Sequence, residues 1–290
     1  MKKILVCGLA VVDFLFEVEA MPRSAEKYIA QQAGMVGGGG AANAAVAVSR
    51  LGGQAILAAR VGDDLFGKLI VDELSAESVD CSLIQRTENA RSSFSSVLVD
   101  RQGERQIVNY RGARLSDQTD FISDLCVDAV LADTRWKAGT VASLRLARQL
   151  GVPGVLDAEA PVHLDALAEA SHIAFSRQGL NEYTGEADLI SGLQQASCRL
   201  DGWVCVTDGG AGVFYMVDGN AINVPAKEVE VVDTLGAGDV WHGAFVLALS
   251  ERQSEHDAII FANAAATLKC TRSGGGRNGP TREELTDFTL

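Results

Sequence analysis

Basic residues are scarce in this chain: 25 Lys and Arg stand against 38 Asp and Glu in 290 residues, a formal net charge of -13. That balance argues against a nucleic-acid or anionic-membrane partner, since both reward a cationic face. No apolar run reaches membrane-spanning length, and neither an internal repeat nor a Pro/Ser-rich linker divides the chain. Paired cysteine spacing is missing too. Cys7, Cys81, Cys126, Cys198, Cys205 and Cys270 form no C-x-x-C motif, which argues against a zinc site or disulfide framework and for a reducing, cytoplasmic setting. The first apolar run leads into Cys7-Gly8-Leu9-Ala10-Val11-Val12, not G-x-G-x-x-G, which counts against a dinucleotide-dependent oxidoreductase. Asp13 and Glu17 interrupt the N-terminal apolar segment, so a buried first strand ending near Gly8 explains it better than a leader.

The chain is 47% hydrophobic, enough for a large core. Short runs apolar throughout, at 4–7, 55–59, 129–132, 154–156, 173–175 and 204–207, alternate with helical stretches at 41–51, 65–77, 138–150 and 164–170. Strands without a polar face belong to a sheet covered on both sides, so the expected fold is α/β with a mainly parallel, doubly wound sheet. Residues 14–33 and 92–110 break the rhythm with polar alternation and predict a small antiparallel sheet that covers the main domain as a lid. In open α/β sheets ligands bind beyond the carboxyl ends of the strands, where Asp13, Asp133, Arg135 and Asp157 are expected to gather.

The most chemically loaded segment is Asp233-Thr234-Leu235-Gly236-Ala237-Gly238-Asp239. Upstream, Val229, Val231 and Val232 read as a strand end; downstream, Ala244, Phe245, Ala248 and Leu249 recur at helical spacing. Small residues opening a helix present backbone N–H groups and the positive end of the helix dipole to an anion. Asp239 beside them suits a base for an attacking hydroxyl. A tight turn with an N-capping Asp is the plainer alternative.

The residues Gly37-Gly38-Gly39-Gly40-Ala41-Ala42-Asn43-Ala44-Ala45-Val46-Ala47, the run Arg60-Val61-Gly62-Asp63-Asp64-Leu65-Phe66-Gly67 and the Asp239 turn resemble the signatures of the ribokinase (PfkB) family of carbohydrate kinases. The likeness covers nearly the whole chain. It implies a ribokinase-like fold, one kinase domain spanning 1–290, and a discontinuous β lid from about 14–34 and 91–111. It also implies Asp239 as the base that activates a sugar hydroxyl, with Gly236, Ala237 and Gly238 as an anion hole. Sugar binding then falls to Asp13, Gly38, Gly39 and Asn43, and nucleotide binding to Thr207, Gly209, Gly212 and Asn263. ATP and Mg2+ are implied as co-substrate and cofactor, with a monovalent cation, K+, beside the segment 270–279. The family's usual Asn-x-x-Glu is replaced by Ser176-Arg177-Gln178-Gly179, which leaves the protein ligands of magnesium unidentified.

Within the family the chain most resembles bacterial kinases of 6-deoxy-6-sulfofructose, through Glu26-Lys27-Tyr28, Ile107-Val108-Asn109-Tyr110, Val130-Leu131-Ala132-Asp133-Thr134-Arg135-Trp136 and Leu268-Lys269-Cys270-Thr271-Arg272. This subgroup implies sulfonate binding by Lys27, Asn109 and Arg135, and a sugar 1-phosphate as product. A planar guanidinium fork suits a sulfonate or phosphate. A neutral ketose and an anionic sugar phosphate stay open as substrates, and a non-catalytic sugar-binding relative as the other function class. Exposed lid strands imply a homodimer.

Overall fold

The computed structural model describes residues 1–102 and 104–289; Gly103, inside the second expected lid piece, and Leu290 lie outside the described residues. The chain starts with β1 (Lys3–Gly8), leaves the main sheet through β2 (Val11–Glu17) and β3 (Gln32–Gly38), and returns through α1 (Gly40–Arg50). Next come β4 (Gln54–Gly62), α2 (Leu65–Ala76) and β5 (Ile84–Thr87), then a second excursion, β6 (Phe94–Val99) and β7 (Arg105–Tyr110). The central units are β8 (Ala129–Ala132), α3 (Lys137–Leu150), β9 (Gly154–Ala158), α4 (Leu164–Glu169), β10 (His172–Ser176), α5 (Arg177–Thr184) and α6 (Leu189–Arg199). The chain closes with β11 (Trp203–Thr207), β12 (Val213–Val217), β13 (Asn220–Val224), α7 (Ala237–Ser250), α8 (Glu255–Cys270) and α9 (Arg282–Thr289).

The main sheet runs β13-β12-β11-β10-β9-β8-β1-β4-β5, parallel from β11 to β5 with an antiparallel hairpin at the β13 edge. Alternate residues of β1 feed opposite faces: Ile4 and Val6 pack with α1, α7 and α8, while Leu5 and Cys7 pack with α3, α4 and α6. Two packed faces explain why these strands read apolar at every position. α7 is buried from Val240 to Ser250 because it is wedged between the sheet, α1 and α8.

The strand order reverses between β1 and β8, and the carboxyl ends of these two strands open the crevice where such sheets bind ligands. The second sheet has the order β3-β2-β6-β7 and stands over this end. It is mixed, not antiparallel as expected: β2 pairs β6 in parallel. Both are outgoing strands of separate excursions from the same end of the main sheet, so they run the same way. A second correction concerns Val229, Val231 and Val232. They form no strand but an irregular connection, and Val231 and Val232 are more than half exposed.

Candidate active site

Each side chain at the crevice is set by the end of an element. Asp133, just past β8, is nearly buried and accepts from the amides of Leu9 (2.8 Å), Ala41 (3.1 Å) and Arg135 (2.8 Å). It ties the β1 exit to the start of α1 and also lines the crevice. Asp13 projects from β2, where burial raises its pKa and Ser95 and Arg277 oppose the rise. Gly38 on the neighbouring strand leaves room for it, because a Cβ there would run into the Asp13 carboxylate.

Asn43, in the first turn of α1, is no solvated position. It is 6% exposed and donates through Nδ2 to Oδ2 of Asp239 at 2.7 Å. Asp239 sits in the first turn of α7, entered through Gly236 at φ 76°. That left-handed residue must be glycine, since a Cβ would also collide with the backbone of Gly276. Desolvation pushes the Asp239 carboxyl up to about 6, against the Asn43 hydrogen bond and with help from Asp157. A base poised there is ionised at neutral pH yet basic enough to take a proton. Removal of the Asn43 donor in Asn43→Ala should raise the Asp239 pKa further, by about one unit. The acid limb of a kcat/KM–pH profile should move up accordingly; an unmoved limb would show that the contact does not tune the base.

The anion hole differs in one respect from the expected one. The Ala237 N–H donates to Thr234 O at 3.2 Å, whereas the amides of Gly236 and Gly238 have no partner among the described residues. Two free amides at a helix N-terminus can still receive an anion. His242, one turn on, is buried, which lowers its pKa and favours the neutral ring. It bonds Gly238 O through Nδ1 at 2.8 Å and turns Nε2 to Asp157 Oδ1 at 3.5 Å. Burial, with Glu159 and Asp133 near, holds the Asp157 pKa well above the usual range.

The start of α7 separates two cavities. One, about 280 Å³, is lined by Asp13, Gly39, Asn109, Arg111, Arg135, Asp157, Glu159 and Asp239. The other, about 700 Å³, is lined by Ala237, Gly238, Trp241 and all four expected nucleotide residues, Thr207, Gly209, Gly212 and Asn263. Val229 and Val231 line it too, so the valine-rich connection walls a cavity instead of extending a sheet. Asn263 is already engaged: Nδ2 donates to Val224 O at 2.9 Å and Oδ1 accepts from Trp241 Nε1 at 2.9 Å.

The smaller cavity continues into a third, about 330 Å³, that shares Leu9, Arg111 and Arg135 and adds Arg60 and His163. The few cations of an acidic chain are thus concentrated at one end of the crevice. Arg135 is tied down there by Ala160 O at 2.7 Å and the Glu159 carboxylate. Asn109 donates to Ser95 Oγ at 2.8 Å. Lys27 does not join them; it is exposed on the connection between β2 and β3 and lines none of these cavities. Arg111, which the sequence did not single out, stands at this end of the crevice. It lines both polar cavities and has no hydrogen-bond or ionic partner among the described residues. Its only sequence signal was its position directly after the second lid strand.

Metal ligands are not supplied where the missing motif would stand. Ser176 caps α5 by accepting from Gly179 N at 3.0 Å, and Arg177 is held by Asp208 at 2.8 Å. Among the described residues no group of three or more His, Cys, Asp or Glu is arranged to hold a metal ion. These residues do not fit an all-protein magnesium site; magnesium arriving with a nucleotide would keep phosphate and water ligands. A bound K+ does not fit either: the Asp233 carbonyl and carboxylate already hold the ammonium of Lys269.

Known proteins share the sequence pattern and the fold of this chain. A model of the pfkB family of carbohydrate kinases matches residues 1–282. The ribokinase of Bacillus subtilis (strain 168) is 27% identical over 99% of this chain and 99% of its own length. The fructokinase of Vibrio alginolyticus is 28% identical over 99% of each. A crystal structure of a provisionally assigned ribokinase from Agrobacterium tumefaciens superposes with TM-score 0.90, at 35% identity, over 99% of this chain and 96% of that one. The Arabidopsis thaliana ribokinase complexed with ribose and ATP shares the fold, with TM-score 0.86 at 24% identity over 99% and 98% of the two chains.

Proposed function

The chain belongs to the pfkB family of carbohydrate kinases, and we propose that it transfers the γ-phosphoryl group of ATP to the primary hydroxyl of 6-deoxy-6-sulfofructose, giving the 1-phosphate. The carrying observation is the start of α7, where Asp239 faces the smaller cavity and Gly238 the larger. ATP lies in the larger cavity, its base against Trp241 and Val213 and its phosphates at the glycine turn. The sugar lies in the smaller one. The Asp239 carboxylate accepts the hydroxyl proton as the oxygen attacks the γ-phosphorus and the bond to the β-phosphate oxygen breaks. The free amides of Gly236 and Gly238 stabilise the charge on the transferring group, and α7 supplies its dipole. Both reactants are held on one rigid helix start, which lowers the entropic part of the barrier. Magnesium bound to the nucleotide would supply neutralisation of phosphate charge.

The arginine-rich end of the crevice supports an anionic group on the sugar, with Arg111 the available guanidinium and Asn109 and Arg135 beside it. A neutral furanose, as in fructokinases and ribokinases, is the second reading. It is favoured by the Glu159 carboxylate, which already neutralises Arg135. ADP release across a panel of sulfofructose, fructose 6-phosphate, fructose and ribose separates the two. The sulfonated sugar should lead in kcat/KM by about tenfold or more. A lead by fructose or ribose would overturn the substrate assignment and leave the kinase assignment intact.

The chain acts in this reading as one kinase domain, with the second sheet as its lid. Arg105 on β7 already reaches the catalytic turn, pairing with Asp233 at 2.6 Å. The lid also presents Met35, Ile107 and Val108 to solvent, which supports pairing of two lids in a homodimer.

A further inference from the structure

Lys269 stands where helical spacing calls for an apolar residue. It continues the buried stripe Ala258, Ala262 and Ala265 of α8 and is 0% exposed. Its Nζ donates to the backbone carbonyl of Asp233 at 2.7 Å and lies 3.3 Å from Asp233 Oδ2. The same carboxylate accepts from Leu235 N at 2.8 Å and Gly275 N at 3.0 Å, and pairs with Arg105. Asp233 therefore joins three pieces: the turn that ends at Asp239, the 270–279 segment, and the lid. The second and first of these touch at Gly236, whose backbone packs on Gly276. A buried ammonium at this junction sets where the anion-binding amides sit.

We propose that Lys269 is a tethered internal cation, taking the oxygen-lined position that a free K+ would otherwise occupy beside the phosphate-binding turn, and that it makes the enzyme independent of monovalent cations. An ammonium and K+ are alike in charge and similar in size, and both are held by carbonyl and carboxylate oxygens. One position cannot hold both, because the nitrogen already lies at contact distance from the carbonyl oxygen. Tethering also removes the entropic cost of capturing an ion from solution. Burial lowers the Lys269 pKa, while the charge and hydrogen bond of Asp233 oppose the fall. An ordinary buried ion pair would fix the same loops, but its removal would not create a response to K+.

The inference rests on the kinase reading for its rate measurement but not for its melting measurement. Wild-type protein and Lys269→Met are compared in KCl, NH4Cl and choline chloride at equal ionic strength. For the wild type, kcat should agree within about twofold and Tm should be the same in all three salts, since the Asp233 position is already filled by the Lys269 ammonium. In Lys269→Met, Tm should be lowest in choline and raised by K+ and NH4+, and K+ should restore activity by about tenfold or more over choline. Activation of the wild type by K+ of about fivefold or more would overturn the proposal. So would a folded Lys269→Met whose Tm and rate ignore K+. If the methionine variant does not fold, the wild-type Tm series decides alone: a K+-specific rise refutes the internal cation, and its absence upholds it.

Discussion

Asp239→Asn is expected to fold, bind ATP and sugar, and lose a thousandfold or more in kcat, on the order of 4 kcal/mol of transition-state stabilisation. The amide keeps the shape and can still accept from Asn43, but it cannot take the hydroxyl proton. The wild-type pH profile carries the same signature. With the Asp239 carboxyl pushed up to about 6, kcat/KM should fall on an acid limb as pH drops through that value, and this limb should vanish in the residual activity of the variant. Stability should move the opposite way. A carboxyl whose folded pKa exceeds its unfolded one binds its proton more tightly in the native state. Its contribution is present below the unfolded pKa and is lost as pH rises through the folded one. At neutral pH the ionised, desolvated carboxylate therefore costs up to about 3 kcal/mol. Asp239→Asn should melt above wild type at pH 7.5, with the gap closing toward pH 4. A variant that melts lower and is inactive would be a folding defect, and near-normal turnover would remove Asp239 as the base.

Arg111→Ala should cost about a hundredfold or more in kcat/KM on sulfofructose, with little change on fructose. Availability singles this residue out. Arg135 spends its guanidinium on Ala160 O and Glu159, and Arg60 stacks on Trp136 with its charge toward Asp117. Arg111 reaches the crevice with no competing partner among the described residues. Burial and the nearby Arg135 charge lower its pKa, only partly offset by the Glu159 and Asp133 charges, and an anionic ligand would relieve the rest. Arg135→Ala should hurt both sugars more evenly, because it also releases Glu159 and the loop at Ala160. Equal losses on the two sugars in Arg111→Ala would withdraw the sulfonate assignment.

The parallel sheet was legible because burial on two faces leaves its mark on every residue. The run 129–132 reads as a strand without a polar position and is β8. The start of α7 was legible for a different reason: a glycine-rich turn marks a helix entry, and Gly236 at φ 76° opens α7. Readings that depended on a partner element failed. Val229, Val231 and Val232 looked like a strand but belong to a connection that walls a cavity, because lining a pocket and packing in a sheet select the same side chains. Lys27 lies on the β2–β3 connection, exposed and outside the cavities, whereas Arg111 directly follows β7 and lines them. Lys269 falls in a fragment that carries the family resemblance, yet its role is invisible there. Its helical spacing puts it on the buried stripe of α8, but its partner, Asp233, lies 36 residues away and nothing local identifies that partner.

Phosphoryl transfer from one cavity to the other, across the start of α7, is the central claim. Its most direct measurement is the incubation of the purified protein with ATP and sulfofructose, followed by proton-coupled 31P NMR. The expected result is sugar-dependent ADP formation and a new phosphate monoester coupled to the two C1 protons. ATP hydrolysis unchanged by sulfofructose or any other sugar in the panel, with no new ester resonance, would contradict it.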